Sequence, residues 1–276
     1  MRVLIFMTLA LLPIAAVSKE QPKWEAGAGF GYLRFEHYPA STQYTDLAIP
    51  FPTFVYRGET LRADDREGAK IFLLKSPDWT LQFGGVLFPP LSSSSNSART
   101  GMIDLPVVVA PGPQLVRTLN ENWSAKFGVY QALAASWTSL RTTGGIWEGT
   151  TTYQHSYELG STVYGFNEAT TTVSFGVMGA SQELNELYYG VPAADATASR
   201  DAYYANAGLL ATQVSFFQSI KRGDLAIYAG GRVSDYGISA NRASPLFETN
   251  QNIALLFGVT YSLFKSEAME APGVGK

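Results

Sequence analysis

The stretch "WSAKFGVYQALAASWTSL", residues 123–140, alternates between two chemically different faces. Its odd-numbered residues are almost all apolar and include Trp123 and Trp137, whereas its even-numbered residues are small or polar, such as Lys126 and Tyr130. Successive side chains of a β-strand point to opposite sides of the sheet. The stretch therefore predicts a strand with an apolar environment on one side, and with Lys126 and Tyr130 on a polar side.

The spacing of the two tryptophans indicates what the apolar environment is. Trp123 and Trp137 lie on the same face, fourteen positions apart, which corresponds to about 46 Å of strand. At a tilt of about 45° this strand spans a depth of about 33 Å, somewhat more than the apolar band of roughly 25 Å around an outer-membrane barrel. Tryptophan favours the level of the lipid headgroups. The stretch is thus predicted to cross a bilayer, with a tryptophan at each membrane surface.

The same alternation recurs along the chain, and helical periodicity is scarce. The clearest further examples are Trp24–Phe35, Trp79–Phe88, Asp224–Tyr236 and Asn252–Phe264. Turn-rich segments separate the strands, and the long ones are His37–Ala48, Pro89–Asp104, Glu183–Ala202 and Asp235–Gln251. We expect about twelve strands, within a range of roughly 10–14.

The composition excludes several classes of function. Charged residues are only 16% of the 276-residue chain, aromatic residues reach 13%, and glycine is abundant at 26 residues. The net charge of −3 argues against a nucleic-acid partner. There is no cysteine, which excludes disulfides and thiolate metal sites. We predict no cofactor and no metal.

The chain is predicted to contain one domain between two short terminal segments. Residues 1–18 have an early arginine, an apolar run and then small residues, which is the layout of a secretory signal peptide. Residues 19–264 are expected to form the β domain, because no linker interrupts them. Residues 265–276 are expected to be a flexible C-terminal tail.

Two all-β architectures remain compatible with alternation, namely a secreted soluble β protein and a membrane barrel. The long strands and the polar face of Gly, Ser, Thr and Tyr favour the barrel, since a soluble protein would carry more Lys and Glu on that face. We therefore predict a single closed antiparallel transmembrane β-barrel in the outer membrane, in contact with outer-membrane lipid. The predicted membrane-interface aromatic residues are Trp24, Trp79, Trp123 and Trp137.

Two regions of the chain resemble the MltA-interacting protein family (MipA/OmpV) of Gram-negative outer membranes. One contains "WEAGAGFGYLRFEHYPAS" and "IPFPTFVYRGETLRA" near the N-terminus. The other contains "YYGV", "GDLAIYAGGRVSD", "SPLF" and a last strand that ends in an aromatic residue. The family-motif residues are Tyr188, Tyr189, Gly190, Val191, Ser244, Pro245 and Phe264.

This resemblance implies a non-enzymatic barrel that acts as a scaffold. The implied partners are a lytic transglycosylase, which degrades murein, and a penicillin-binding protein, which synthesises it. The resemblance implies no catalytic residue, because none of its motifs is catalytic. A small channel or a ligand-binding barrel without a murein partner is the alternative.

Three local motifs could suggest chemistry. His155 and Ser156 are a residue pair that hydrolases use, but adjacent strand residues point to opposite faces and cannot pair directly. The acidic segment Ala63–Gly68 lacks the spacing of a calcium loop. The glycines in Gly27–Gly31 precede no helix, so they are expected to pack against aromatic rings rather than bind phosphate.

The strand count also predicts which loops face which side of the membrane. With an even number of strands, Asp235–Gln251 is expected to be extracellular and Ser219–Gly223 periplasmic. The same count puts Pro89–Asp104 on the periplasmic side, although periplasmic turns are normally short. Either the count is wrong by one strand there, or this segment is a docking loop for a partner.

Overall fold

A computed structural model describes residues 21–64, 68–135, 139–159 and 165–269. The described strands number twelve, as predicted. They are β1 (Trp24–Glu36), β2 (Tyr44–Arg57), β3 (Leu61–Asp64), β4 (Gly68–Lys75), β5 (Trp79–Phe88), β6 (Val107–Thr118), β7 (Trp123–Ala135), β8 (Leu140–Glu158), β9 (Glu168–Ala180), β10 (Gly208–Arg222), β11 (Leu225–Asp235) and β12 (Gln251–Lys265). The predicted signal peptide and Trp137 lie outside the described residues.

The strands form one closed antiparallel barrel, which confirms the predicted fold. Each strand pairs with its neighbours in sequence, and β1 pairs with β12 to close the ring. The closing ladder runs from Glu25 opposite Lys265 to Arg34 opposite Leu255. Because every strand has two neighbours, the barrel has no free outermost strand.

The outer face of the barrel is apolar and exposed. On β7, Phe127 and Val129 are 52% and 49% exposed, whereas Tyr130 on the opposite face is 1% exposed. The same outward face of β12 exposes Phe257 and Val259. A continuous exposed belt of large apolar side chains is costly in water and suited to lipid. The predicted polar side of β7 is therefore the lumen.

The two ends of the barrel differ in the length of their connections. One end carries the segments 37–43, 89–106, 181–207 and 236–250, and we call it the loop end. The other, the turn end, carries the short turns 58–60, 76–78, 119–122 and 223–224, and also the connection 159–167, of which residues 160–164 lie outside the described ones. Outer-membrane barrels have short periplasmic turns and longer extracellular loops, so the loop end faces the exterior.

The prediction that Pro89–Asp104 lies on the periplasmic side is wrong. Gln43 in the first loop donates a hydrogen bond from Nε2 to Oγ of Ser97 (2.7 Å), which places both segments at the loop end. The reason lies in the short hairpin of β3 and β4, because the four described residues of β3 are too few for their alternation to predict a separate strand. The alternative that the strand count is wrong by one before Pro89 therefore holds, and a docking loop on the periplasmic side is not needed to explain this segment.

The segment Glu183–Ala202, which the sequence indicates as turns, overlaps the helix α1 (Gln182–Tyr189). Ser181 caps its N-terminus, since Oγ accepts a hydrogen bond from the N–H of Leu184. Gly190 ends it and donates its N–H to the carbonyl of Glu186 (2.9 Å). No helix among the described residues is long and apolar enough to cross a membrane.

The chain on either side of the barrel is held at the turn end. The N–H of Lys23 donates to the carbonyl of Ala268 (2.8 Å), and Pro22 forms an isolated bridge with Met269. The segment after residue 264, predicted as a tail, therefore begins with the last residue of β12 and stays paired as far as Met269.

Replacing Val129 with Arg tests the outward face of β7. A charge at the mid-bilayer level of a barrel wall costs about 2–4 kcal/mol, so Val129→Arg is expected to lower the urea midpoint of folding into lipid vesicles. Val129→Ala is the control, because it removes the same side chain without adding a charge. Equal midpoints for the Arg and Ala variants would contradict the lipid-facing assignment.

Candidate functional site

The four loops at the loop end pack together into a cap, here defined as residues 37–43, 89–106, 181–207 and 236–250. Its core contains Tyr38, Leu184, Tyr189 and Leu246, each at most 2% exposed. This core is continuous with lumen-facing residues such as Tyr130. The cap therefore covers the exterior mouth of the barrel and extends into it.

Most of the predicted family-motif residues lie inside the cap. Tyr189 is fully buried, and its carbonyl accepts a hydrogen bond from Oγ of Ser244 (2.6 Å). Val191 exchanges backbone hydrogen bonds with Tyr203 (2.8 and 3.0 Å). The remaining positions are Tyr188 and Gly190 beside Tyr189, Pro245 beside Ser244, and Phe264, which is 65% exposed at the turn end. The "YYGV" and "SPLF" segments are thus brought together, and Phe264 is not.

Two buried arginines join the second cap loop (89–106) to the third (181–207). Arg200 donates to the carbonyls of Ala98 (2.7 Å), Thr100 (3.2 Å) and Asp195 (2.8 Å). Arg99 donates to the carbonyl of Tyr188 (3.2 Å) and is 4% exposed. Its burial lowers the pKa of the guanidinium. Both side chains therefore act as cross-links between backbone segments.

The first cap loop is bound to the fourth loop and to the start of β12. The carboxylate of Glu248 accepts hydrogen bonds from Tyr38 Oη, Ser41 Oγ and the N–H of Thr42 (3.1–3.2 Å). Asn252 donates from Nδ2 to the carbonyl of Ser41 (2.7 Å). Burial also raises the pKa of the Tyr38 hydroxyl far above its usual range, so this residue stays neutral and donates.

The first loop also contacts the second loop through amide and imidazole groups. Asn96 is fully buried and donates from Nδ2 to Oγ of Ser41 (3.1 Å). The same Nδ2 lies 3.1 Å from Nδ1 of His37. Desolvation lowers the pKa of His37, which favours the neutral imidazole that can accept this hydrogen bond.

The lumen below the cap contains a chain of polar side chains. Gln82 donates to Gln114 (2.6 Å), Gln114 donates to the hydroxyl of Tyr130 (3.1 Å), and Tyr130 donates to Glu148. Lys126 pairs with Glu148 at 2.6 Å. These residues come from β5, β6, β7 and β8, so the network joins four neighbouring strands. Its charges neutralise each other and leave no excess of one sign.

At the turn end the lumen contains a second ion pair. Arg57 lies 2.7 Å from Glu25 and also donates to the carbonyl of Pro22 (2.8 Å). Ser262 donates to the same carboxylate of Glu25 (2.9 Å). The pair links β1, β2 and β12 where the barrel closes.

The predicted interface tryptophans in the described part of the chain share one level of the barrel. Trp24, Trp79 and Trp123 begin β1, β5 and β7 at the turn end, and they are 37–44% exposed. Trp123 packs against Tyr153, with ring centroids 5.2 Å apart. Trp137, the predicted partner at the other surface, lies outside the described residues.

The two residues of the possible hydrolase motif face different sides. The ring of His155 stacks between Tyr153 and Tyr157 on the outward face of β8, at centroid distances of 6.4 and 5.7 Å. Ser156 lies on the lumen side within 3.0 Å of Oγ1 of Thr170. The two side chains therefore cannot form a nucleophile and its base. No group of three or more His, Cys, Asp or Glu residues that could hold a metal occurs among the described residues.

The chain matches the family described as MltA-interacting protein MipA over residues 26–263. It belongs to the MltA-interacting protein MipA family, as its resemblance predicted. Together with the lipid-facing belt, this membership identifies an outer-membrane β-barrel. No curated protein sequence matches the chain.

Solved structures that match part of the chain path have little sequence identity with this chain. The NanC porin in a rhombohedral crystal form is 11% identical, with a TM-score of 0.38, and the match covers 86% of this chain and 100% of that chain. A bacterial polysaccharide outer membrane secretin is 9% identical, with a TM-score of 0.36 and coverages of 87% and 99%. OccK8 (OprE) of Pseudomonas aeruginosa is 11% identical, with a TM-score of 0.24 and coverages of 77% and 68%.

The residues that hold the cap together were not among those that the sequence pattern predicted as functional. Arg99, Arg200 and Asn96 lie in loops without periodicity, so no pattern distinguishes them from solvated polar residues. The only available signal was the density of Asn and Ser in the long loops, which is typical of side chains that bond to backbone groups.

The carboxylate of Asp104 gives the cap a testable dependence on pH. It accepts a hydrogen bond from the N–H of Ser93 (2.6 Å), which lowers its pKa. A depressed pKa stabilises the folded loop above the ordinary pKa of Asp and stops doing so as pH falls. Amide exchange protection of residues 89–106 is therefore expected to fall as the pH drops below about 4, the ordinary pKa of Asp.

The Asp104→Asn variant should show weaker protection of this loop at pH 7 and less change on acidification. Asp201→Asn is the matched control, because Asp201 is an exposed carboxylate in the neighbouring cap loop. Identical pH profiles for the wild type and Asp104→Asn would contradict the assigned role.

Proposed function

We propose that the protein is a non-catalytic outer-membrane scaffold that binds a lytic transglycosylase and a penicillin-binding protein at its periplasmic side. The family description, which names an interaction with MltA, is the observation that carries this proposal. The scaffold would hold an enzyme that cleaves murein beside one that synthesises it. The barrel supplies the membrane attachment, and the enzymes supply the chemistry.

The geometry of the barrel supports a scaffold rather than an open pore. The cap closes the exterior mouth with a packed apolar core, and the lumen contains paired charges. A periplasmic partner can reach only the turn end, where both ends of the described chain also lie. We propose that Trp24, Trp79 and Trp123 mark the inner headgroup level and keep this end at the membrane surface.

The turn end offers a cleft of suitable size for a partner loop. The cleft measures about 660 Å³ and is lined by Lys23, Tyr56, Glu59 and Leu61, among others. Leu61 is 45% exposed, so an apolar contact is available beside charged groups. A mixture of this kind is typical of a modest protein–protein contact.

Affinity capture from detergent solution tests the proposed partner. The purified barrel is expected to retain a purified lytic transglycosylase, and then a penicillin-binding protein in the same complex. The double variant Glu59→Lys, Leu61→Asn is expected to weaken retention about tenfold, because both side chains line the cleft. Ile103→Asn is the control, since Ile103 is 80% exposed at the loop end. Absence of capture by the wild type would contradict the scaffold function.

Conductance in planar bilayers distinguishes the scaffold from a channel. The wild-type protein is expected to show no discrete conductance steps, because the cap covers the mouth. The double variant Arg99→Ser, Arg200→Ser leaves buried carbonyl groups without donors, and it is expected to loosen the cap and produce steps. Arg242→Ser, at an exposed arginine of the same end, is the control. Regular steps in the wild type would favour the channel.

A further inference from the structure

Among the described residues, which do not include 65–67 between β3 and β4, the strands between β2 and β5 are paired to both neighbours only near the turn end. β3 pairs with β2 only at Tyr56 and Arg57, and β4 pairs with β5 no further than Phe83. Within the described residues, the edges formed by 44–55 of β2 and 84–88 of β5 therefore have no strand partner on the sides that face each other. We call this opening the window.

The window is closed above and below. Above it, the first and second cap loops meet through Gln43 and Ser97 (2.7 Å) and through Asn96 and Ser41 (3.1 Å). Below it lies the hairpin of β3 and β4, which is paired at its base to both neighbours. The shorter side, residues 84–88, corresponds to about 16 Å of strand.

The window opens to the outer half of the bilayer. Residues 84–88 lie five to nine positions beyond Trp79, or about 12–21 Å above its level at a strand tilt of about 45°. The apolar band around a barrel is roughly 25 Å tall. The outward side chain next to the window, Leu87, is 66% exposed. Lipid chains of the outer leaflet therefore reach this opening directly.

Two residues on the β2 edge of the window, Pro50 and Pro52, have no backbone N–H to donate. The directions of neighbouring backbone groups show that this edge is the one that faces the window. The N–H of Arg57 points to Lys23 beside β1, and the N–H of Gly58 points to Leu61 in β3. Backbone groups alternate along a strand, so those of even-numbered β2 residues face the window. Pro50 and Pro52 are both even-numbered, and proline has no N–H. The edge is thus unsuited to pairing with another strand, which disfavours a second copy of the chain as the occupant.

The lumen wall behind the window is apolar. Leu47 and Ile49 are odd-numbered residues of β2, like Phe51, so their side chains point into the lumen. Each is nevertheless 36% exposed. The ring of Phe51 lies close to β1, since a Cβ at Gly29 would approach its Cζ to 2.8 Å. Apolar side chains exposed inside a barrel cost free energy in water. This surface therefore favours an occupant without polar groups.

We propose that the window is a lateral portal through which an acyl chain of an outer-membrane lipid enters the upper lumen. The cap blocks entry from the exterior, so the bilayer is the source of the chain. The polar network of Gln82, Gln114 and Tyr130 limits how deep the chain extends, because burying it there would leave amide groups without water. This binding is independent of the periplasmic partner.

Photo-crosslinking in native outer membranes tests the portal. A benzophenone side chain is introduced at Ile49 behind the window, at Val129 on the lipid-facing wall, and at Thr152 on the lumen side of β8. Mass spectrometry is expected to find lipid acyl adducts at positions 49 and 129 and none at 152. Absence of adducts at 49 overturns the proposal, and equal adducts at 49 and 152 overturn it too, since lipid would then fill the lumen without selection.

A second measurement keeps the test independent of the probe. Leu47→Asn is expected to lower the lipid retained by the purified barrel about tenfold, because it removes an apolar contact. Thr53→Asn, a polar lumen-facing position on the same strand, is the matched control. Heat-modifiable electrophoretic mobility verifies that each variant is folded. Unchanged lipid retention in folded Leu47→Asn overturns the portal.

Discussion

The need to satisfy backbone hydrogen bonds without water determines most of this structure. In the hydrocarbon region each unpaired N–H or C=O costs several kcal/mol, and a ring of antiparallel strands removes nearly all of them. The ladder of β1 and β12 completes this ring. Once the ring is closed, alternation assigns every side chain to lipid or lumen. The exposed Phe127 and the buried Tyr130 follow from the same ladder.

The cap solves the same problem for irregular backbone. The backbone of loops that pack against one another does not form β-sheet hydrogen bonds, so side chains act as the hydrogen-bond partners of its N–H and C=O groups. Arg200 donates hydrogen bonds to carbonyls of two loops, and the carboxylate of Glu248 accepts hydrogen bonds from the loop 37–43. These bonds provide donors and acceptors to cap backbone around the buried Tyr189 and Leu246. The exterior mouth is closed, and the periplasmic end remains the accessible surface for a partner.

The window is the place where the hydrogen-bonding constraint is relaxed. A four-residue β3 cannot match the length of β2, so part of the β2 edge stays unpaired. Pro50 and Pro52 reduce the number of donors that this edge presents. The polar loops above and the apolar lumen behind the opening then define an entrance suited to hydrocarbon rather than to water.

The sequence by itself determined the membrane barrel and the faces of its long strands, and it limited the strand number to roughly 10–14. Periodicity of two is a local property that survives without tertiary contacts, as residues 123–135 illustrate. The family could also be recognised from the order of its motifs. Their role could not, because "YYGV" and "SPLF" come together only in the folded chain, where Tyr189 contacts Ser244 and Phe247.

Only the tertiary structure decided the direction of β5, the cap and the window. The hairpin of β3 and β4 is too short to show alternation, so the side on which residues 89–106 lie could not be counted correctly. The cap depends on Arg99 and Arg200, whose partners are backbone carbonyls in other loops. Long-range hydrogen bonds to backbone carbonyls cannot be predicted from the sequence pattern, because every residue type has the same carbonyl group.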